Sequence, residues 1–301
     1  MRPEVKRILV LGGSNTDLTA APRSGQLVRG TSNPGRVVLA PGGVGRNIAA
    51  NLGYLGLPVS LLSAVEDSPL GDSLLAMTEA AGVDVSRVRR GEPGESGVYV
   101  AVHDGSGDLA VAVSDMGVAD RVDSEYVEAN RSLIEDAAYL VMDANAPAEA
   151  MERALSIATG AGVPVIADPV SLEKGRRLAA LEGRLFLATP NREEAKVLLR
   201  GTVAVDHFVV TRGALGVGWL APEAERCRLF APEPVAEGHS SGAGDAFVAG
   251  LVARLYEGGS MEEAIKYGIG AARLILRLPE TTTPELSPES VEEEVKRCFY
   301  R

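Results

Sequence analysis

Cysteine, histidine, tryptophan and net positive charge are all scarce in this chain of 301 residues. Its two cysteines, Cys227 and Cys298, lie far apart and lack metal-ligand spacing. That excludes a disulfide framework or a cysteine-held zinc and fits a cytoplasmic chain with unremarkable thiols. The three histidines, His103, His207 and His239, are isolated, so no histidine-based metal site is expected. Thirty basic residues against 41 acidic ones leave a formal net charge of −11. This disfavours nonspecific binding to nucleic acid or to an anionic membrane. No apolar run has the length needed to cross a bilayer. The run Ile8–Leu11 is too short for a signal-peptide core and reads as a first buried strand. The expected partner is a small molecule, and a local cradle can still hold an anion despite the global charge.

Apolar strand-like runs alternate with helical patterns over most of the length. Runs at 7–11, 59–65, 139–142, 163–167, 185–188 and 207–210 read as buried strands, and helical patterns start near Val44, Pro69, Ser124, Pro147 and Asn191. Such alternation predicts an α/β fold with a parallel sheet covered on both faces. Two long apolar helices are expected over about 242–256 and 261–278, and a charged one from about Ser287. Segments near 27–39 and 97–113 break the pattern as short strands of another kind. The second contains Asp104-Gly105-Ser106-Gly107, a hairpin turn signal. No repeat or interdomain linker is visible. The expectation is one domain over 1–301 with a small β appendage, formed by about 14–40 and 96–116.

The stretch around Ser240 can be read in two ways. Gly238-His239-Ser240-Ser241-Gly242 matches the G-x-S-x-G nucleophile elbow of α/β-hydrolases. That chemistry needs a histidine after the serine, and none follows Ser240, so the base that must activate the nucleophile is missing. Read forward, Gly242-Ala243-Gly244-Asp245 opens an apolar helix. The small residues let successive N–H groups converge on an oxyanion, and the helix directs its positive end to the same point. Asp245, in the first turn, is placed to take a proton from a hydroxyl attacking a phosphate. Gly and Asp also occur at ordinary helix starts, so other clusters must decide.

Three do. Asn15 and Asp17 follow the first strand, where open α/β sheets place ligands. Pro41-Gly42-Gly43-Val44-Gly45-Arg46-Asn47 opens a helix with Asn47 in its first turn. Asn191 and Glu194 put an amide and a carboxylate on one face of a helix start, suited to holding Mg²⁺ through water. Together they supply a hydroxyl anchor, a metal site, an anion hole and a base. No Walker A sequence is present, so this is not a P-loop enzyme.

With Thr211-Arg212-Gly213, these motifs occur in the order and approximate positions of the ribokinase-like (PfkB) carbohydrate kinases, which the chain resembles over nearly its whole length. The resemblance implies a three-layer α/β/α domain with a mainly parallel central sheet. It also implies a β-sheet lid that often serves as a homodimer interface. ATP and Mg²⁺ are the implied cofactors. Ser32-Asn33-Pro34-Gly35, Ser114-Asp115-Met116, and Asp168-Pro169-Val170-Ser171 with Lys174 look like the pseudouridine-phosphorylating members of that family. The implied reaction is phosphorylation of the 5′-hydroxyl of pseudouridine. Ribose, adenosine or uridine as acceptor, or a kinase-like binder without turnover, are the alternatives.

Residue by residue, the resemblance places Asp17, Gly42, Gly43 and Asn47 on the ribose hydroxyls, with Asn15 and Asn145 beside the sugar and Lys174 near the pocket. It makes Asp245 the base, with the anion hole at Gly242, Ala243 and Gly244. Nucleotide contacts are implied at Asn191, Thr211, Gly213, Ser241, Gly242 and Gly244. Pseudouridine has a free N1–H that uridine lacks, and an acceptor facing it would discriminate between them. Ser32, Asn33 and Asp115 are the expected base readers, Asp115 the best acceptor. His239-Ser240-Ser241 replaces the Asp-Thr-Thr of many family members, so no potassium dependence is expected. Only Ala195 to Val210 separate Glu194 from Thr211, which predicts a missing or reduced crossover helix on the nucleotide side.

Overall fold

A computed structural model describes residues 6–23, 26–233, 242–278 and 280–300. In chain order the first elements are β1 (Ile8–Leu11), β2 (Asn15–Pro22), β3 (Gly35–Gly42), α1 (Val44–Tyr54), β4 (Val59–Leu62), β5 (Ala64–Val65) and α2 (Pro69–Ala80). There follow β6 (Val83–Asp84), β7 (Arg89–Arg90), β8 (Val98–His103), β9 (Leu109–Asp115), α3 (Ser124–Ala129), α4 (Arg131–Glu135) and β10 (Tyr139–Asp143). Next come α5 (Ala148–Ala161), β11 (Val165–Asp168), α6 (Leu172–Ala179), β12 (Arg184–Ala188), α7 (Arg192–Leu198) and β13 (Ala204–Thr211). The last are β14 (Val217–Leu220), β15 (Arg228–Phe230), α8 (Ala243–Tyr256), α9 (Met261–Ile275) and α10 (Pro288–Phe299).

The large sheet has nine strands in the order β15-β14-β13-β12-β11-β10-β1-β4-β6. From β13 to β6 the pairs are parallel, and β14 and β15 join antiparallel at one edge. A strand covered on both faces needs apolar residues at successive positions. β1 meets this need: Ile8 and Val10 enter one core, Leu9 and Leu11 the other. The first core is closed by α1, α8 and α9, the second by α3, α5 and α6. This is the expected three-layer α/β/α class.

Strand order reverses beside β1. One branch runs to β4 and β6, and the other starts at β10 and runs to β15. The crevice outside the carboxyl ends of β1 and β10 is therefore a topological switch point, where open α/β sheets bind ligands. A second sheet, β3-β2-β8-β9, stands off the first. The segment 26–34, between β2 and β3, is a loop rather than the expected strand.

One expectation about elements changes and one is met. The helical pattern from Ser124 is broken at Asn130, which ends α3 and starts α4 while its side chain bonds back to the Tyr126 carbonyl. The crossover between β12 and β13 is present: residues 189–203 suffice to carry it, with α7 reduced to seven residues, and the two strands pair in parallel. Its end at β13 is tied, since Thr202 N donates to the Ala179 carbonyl and Ala204 N to that of Gly183.

Candidate active site

Asp143 ends β10 at the switch point and is fully buried. Its carboxylate accepts from Gly13 N at 2.9 Å and Asn145 N at 2.6 Å, and Gly45 N donates to it as well. It thereby ties the turn after β1 to the start of α1. A Cβ on Gly12 would come within 2.2 Å of this carboxylate, so the turn must be glycine to approach it. Burial pushes Asp143 above the usual carboxylate range, opposed by those N–H donors.

Gly43 caps α1 at φ 93°, and a Cβ there would meet the Gly13 carbonyl at 2.4 Å. Both facts demand glycine. The result is that α1 starts hard against the end of β1 and presents Asn47 from its first turn. Asn47 Nδ2 donates to Asp245 Oδ2 at 2.8 Å, joining α1 to α8 across the crevice. α8 in turn begins at Gly242, with φ 79°, whose Cβ position lies 2.7 Å from the backbone of Thr281. The first N–H groups of such a helix lack intrahelical partners and point at whatever lies before it.

Asp17 stands on β2 against Gly42, and Asn15 Nδ2 donates to its Oδ1 at 2.6 Å. Burial raises the Asp17 pKa, with the Asn15 bond opposing. Lys174 donates through Nζ to Asn145 Oδ1, and Asn145 packs on Gly13. Lys174 is carried there by α6, whose cap Ser171 accepts from Lys174 N. Between Asp168 and that cap the chain passes through Val170 at φ 63°. A β-branched residue is strained in that region. The expected acceptor residues Asn15, Asp17, Gly42, Gly43, Asn47, Asn145 and Lys174 therefore converge with Asp245.

Burial dominates the charge state of the acids here. It raises Asp245 well above the ordinary carboxylate value, with Asp168 and Asp143 adding to the effect and the Asn47 bond and Arg46 opposing it. Asp168, at the end of β11, is pushed up to about 7 by burial, and by Asp143 and Glu194 nearby. Its carboxylate accepts from Val170 N and Thr189 Oγ1.

Beside α8 lies a cleft of ≈430 Å³ that Thr211, Gly213, Ala243, Gly244, Phe247, Ile269 and Arg273 line. The expected Thr211, Gly213 and Gly244 thus share one wall-to-wall space. Asn191 pairs with Thr211 in an isolated bridge at its edge. Asn191 and Glu194 are engaged with each other in a capping box: Asn191 Oδ1 accepts from Glu194 N, and Glu194 Oε2 accepts from Asn191 N at 2.8 Å. Among the described residues no three His, Cys, Asp or Glu side chains converge to hold a metal ion. Ser241 lies outside the described residues, as do His239 and Ser240.

The structure sets the expected base readers apart from this cluster. Asn33 is occupied within its own loop, where Oδ1 accepts from Val28 N and Nδ2 donates to the Val28 and Thr31 carbonyls. Ser32 and Asp115 are exposed. Register explains Asp115: it pairs with Val98 in the row of Thr16, whereas Asp17 shares its row with Tyr99 and Ser114. Adjacent rows face opposite sides of a sheet, so Asp115 points away from the Asp17 side. Asp143, Asp168, Arg46, Phe247 and Arg273 carry no expected role. Asp143 and Asp168 end apolar strands, which was the one available signal.

A family model described as pfkB family carbohydrate kinase matches residues 5–288. The chain belongs to that family. The kinase is 32% identical to pseudouridine kinase of Escherichia coli K12, over 94% of this chain and 95% of the other. Among solved structures, a carbohydrate kinase from Agrobacterium tumefaciens superposes with TM-score 0.86 and 28% identity, covering 97% and 98% of the two chains. Ribokinase of Arabidopsis thaliana, complexed with ribose and ATP, shares the fold at TM-score 0.84 and 19% identity, covering 97% and 99%. Membership makes the protein a sugar or nucleoside kinase, a phosphotransferase with an alcohol acceptor.

Proposed function

We propose that the enzyme transfers the γ-phosphoryl group of ATP to the 5′-hydroxyl of pseudouridine, giving pseudouridine 5′-phosphate. The observation that carries the reading is the contact between Asn47 and Asp245, which joins the acceptor cluster around Asp17 to the mouth of the anion hole. The full-length likeness to a pseudouridine kinase supports the choice of nucleoside. Asp17, with Gly42 and Gly43, holds the ribose hydroxyls, and Lys174 with Asn145 closes the other side of the sugar. Asp245 accepts the hydroxyl proton as the new O–P bond forms and ADP leaves, while the N–H groups of 242–244 stabilise charge on the transferring group. The nucleotide lies along the cleft lined by Thr211, Gly213 and Phe247.

A magnesium ion would be held here through water and not by a cluster of carboxylates among the described residues: Asp168 feels both Asp143 and Glu194, so negative charge gathers on this side of the site. Magnesium supplies charge neutralisation of the triphosphate, and Asn191 and Glu194 would hold its water shell. The lid supports a homodimer. Leu39, Leu18, Val100 and Val113 form one row, and Val37, Ala20, Val102 and Val111 another on the same face, with Val37 and Val113 over 60% exposed.

One observation favours a second reading, a ribose kinase. The Asn33 amide is spent inside its loop and Asp115 faces away, so a bare sugar needs nothing the cluster lacks. ADP release with Mg-ATP against pseudouridine, uridine, adenosine and ribose separates the two. Pseudouridine is expected to exceed uridine in kcat/KM by roughly tenfold or more, the worth of one hydrogen bond to N1–H. A higher kcat/KM for ribose would replace the proposal with the second reading.

A further inference from the structure

Arg46 is 1% exposed and lies between the acceptor and donor sides of the site. Its Nε donates to Thr78 Oγ1 of α2 at 3.0 Å, and its Nη1 donates both to Asn47 Oδ1 at 3.1 Å and to Thr282 Oγ1 at 3.2 Å. The neighbouring Thr281 packs against Gly242, the glycine that starts α8. A guanidinium has donors only, so the one atom of the Asn47 amide it can face is the carbonyl oxygen. The NH₂ is then left for Asp245, which when ionised only accepts. Turned the other way, the amide would set its oxygen against the carboxylate and its NH₂ against the cation.

We propose that Arg46 is a positioning residue that fixes the facing of the Asn47 amide and so keeps its NH₂ on Asp245. Thr78 and Thr282 hold Arg46 in turn, so α2 and the segment behind the anion hole both bear on the orientation of the base. The inference rests on the kinase reading of Asp245.

A double-mutant cycle tests it. Arg46→Met should lower kcat by about tenfold to a hundredfold, the effect of a misplaced reacting group, with the acceptor KM moved by less than about threefold. In an Asn47→Ala background the same substitution should cost less than about threefold, because a residue acting through Asn47 has nothing left to act on. The isosteric Thr282→Val provides the same comparison if Arg46→Met does not fold. Equal losses in both backgrounds, or a loss confined to KM, would overturn the proposal. A second readout is independent of turnover. The ¹⁵N side-chain amide signal of Asn47, identified by its disappearance in Asn47→Ala, should exchange with solvent about tenfold faster or more in the Arg46 or Thr282 variant, as the amide loses its fixed facing toward Asp245. An unchanged signal would also overturn the proposal. A moved amide signal in a wild-type protein that phosphorylates none of the acceptors sinks the kinase reading and leaves the orienting role of Arg46 standing.

Discussion

At the scale of single residues, the site works against its own stability. Asp245 is raised well above the ordinary carboxylate value, chiefly by burial and then by Asp168 and Asp143. The base must be ionised to take a proton, so activity should rise with pH through that elevated value. Stability runs the other way: a folded-state pKa above the unfolded one is a contribution fully present at low pH and lost as pH rises through the folded value. Asp245→Asn removes this cost while keeping a side chain of the same shape. It should cut kcat by roughly 10²–10⁴-fold, the range for a lost general base. It should also melt about 2–4 °C higher at pH 8, for a gain on the order of 1 kcal/mol. Thermal unfolding at pH 8 and at pH 5 checks the sign, since the gain should shrink as pH falls.

At the scale of elements, α7 shows how one pair of residues can serve two ends. Asn191 and Glu194 close a reciprocal cap on a helix of only seven residues. A helix that short needs its caps. Asn191→Ala should therefore destabilise the protein by about 1 kcal/mol. Asn191→Ser keeps an acceptor for the first-turn N–H groups without setting a second carboxylate against Glu194, so it should restore most of the melting temperature. If the pair also holds the water shell of magnesium, Asn191→Ala raises the magnesium concentration for half-maximal activity beyond what the melting loss predicts. A titration of magnesium at fixed ATP on the three proteins distinguishes capping alone from capping plus metal. The pattern Asn-x-x-Glu was legible as a feature in the chain, but capping and metal holding use the same residue types at the same spacing.

At the scale of the molecule, the second sheet carries the proposed assembly. Eight apolar side chains in two alternate rows share one face, and four of them, Val37, Leu39, Val111 and Val113, are exposed. A contiguous patch of that kind on an otherwise acidic protein is the surface the proposed homodimer would bury. Val113→Asp places a charge on the exposed edge strand of this face and should convert a dimer to a monomer in light scattering at micromolar concentration. A wild-type protein that is monomeric under those conditions would refute the homodimer. The alternation of Val98-Tyr99-Val100 against Leu109–Val113 showed a hairpin in the sequence. Its pairing with β2, which sets which face each residue takes, was not visible, because register depends on a partner strand some eighty residues earlier.

What the sequence determined by itself is chemistry carried by contiguous residues. The two glycine-led helix starts, Gly43 and Gly242, were readable because positive φ and close backbone approach admit no other residue. The parallel sheet followed from alternation of buried strands with helices, a local pattern. The tertiary structure alone decided whatever depends on residues far apart in the chain. It brought Asp143 and Asp168 to the switch point and gave them their raised pKa values, because burial and neighbouring charge are properties of the assembled crevice. It turned Asp115 away from Asp17 through register, and it locked Arg46 between Thr78 and Thr282. Spacing along a chain specifies a helix start, whereas the direction in which an amide or a carboxylate faces is set by what packs against it.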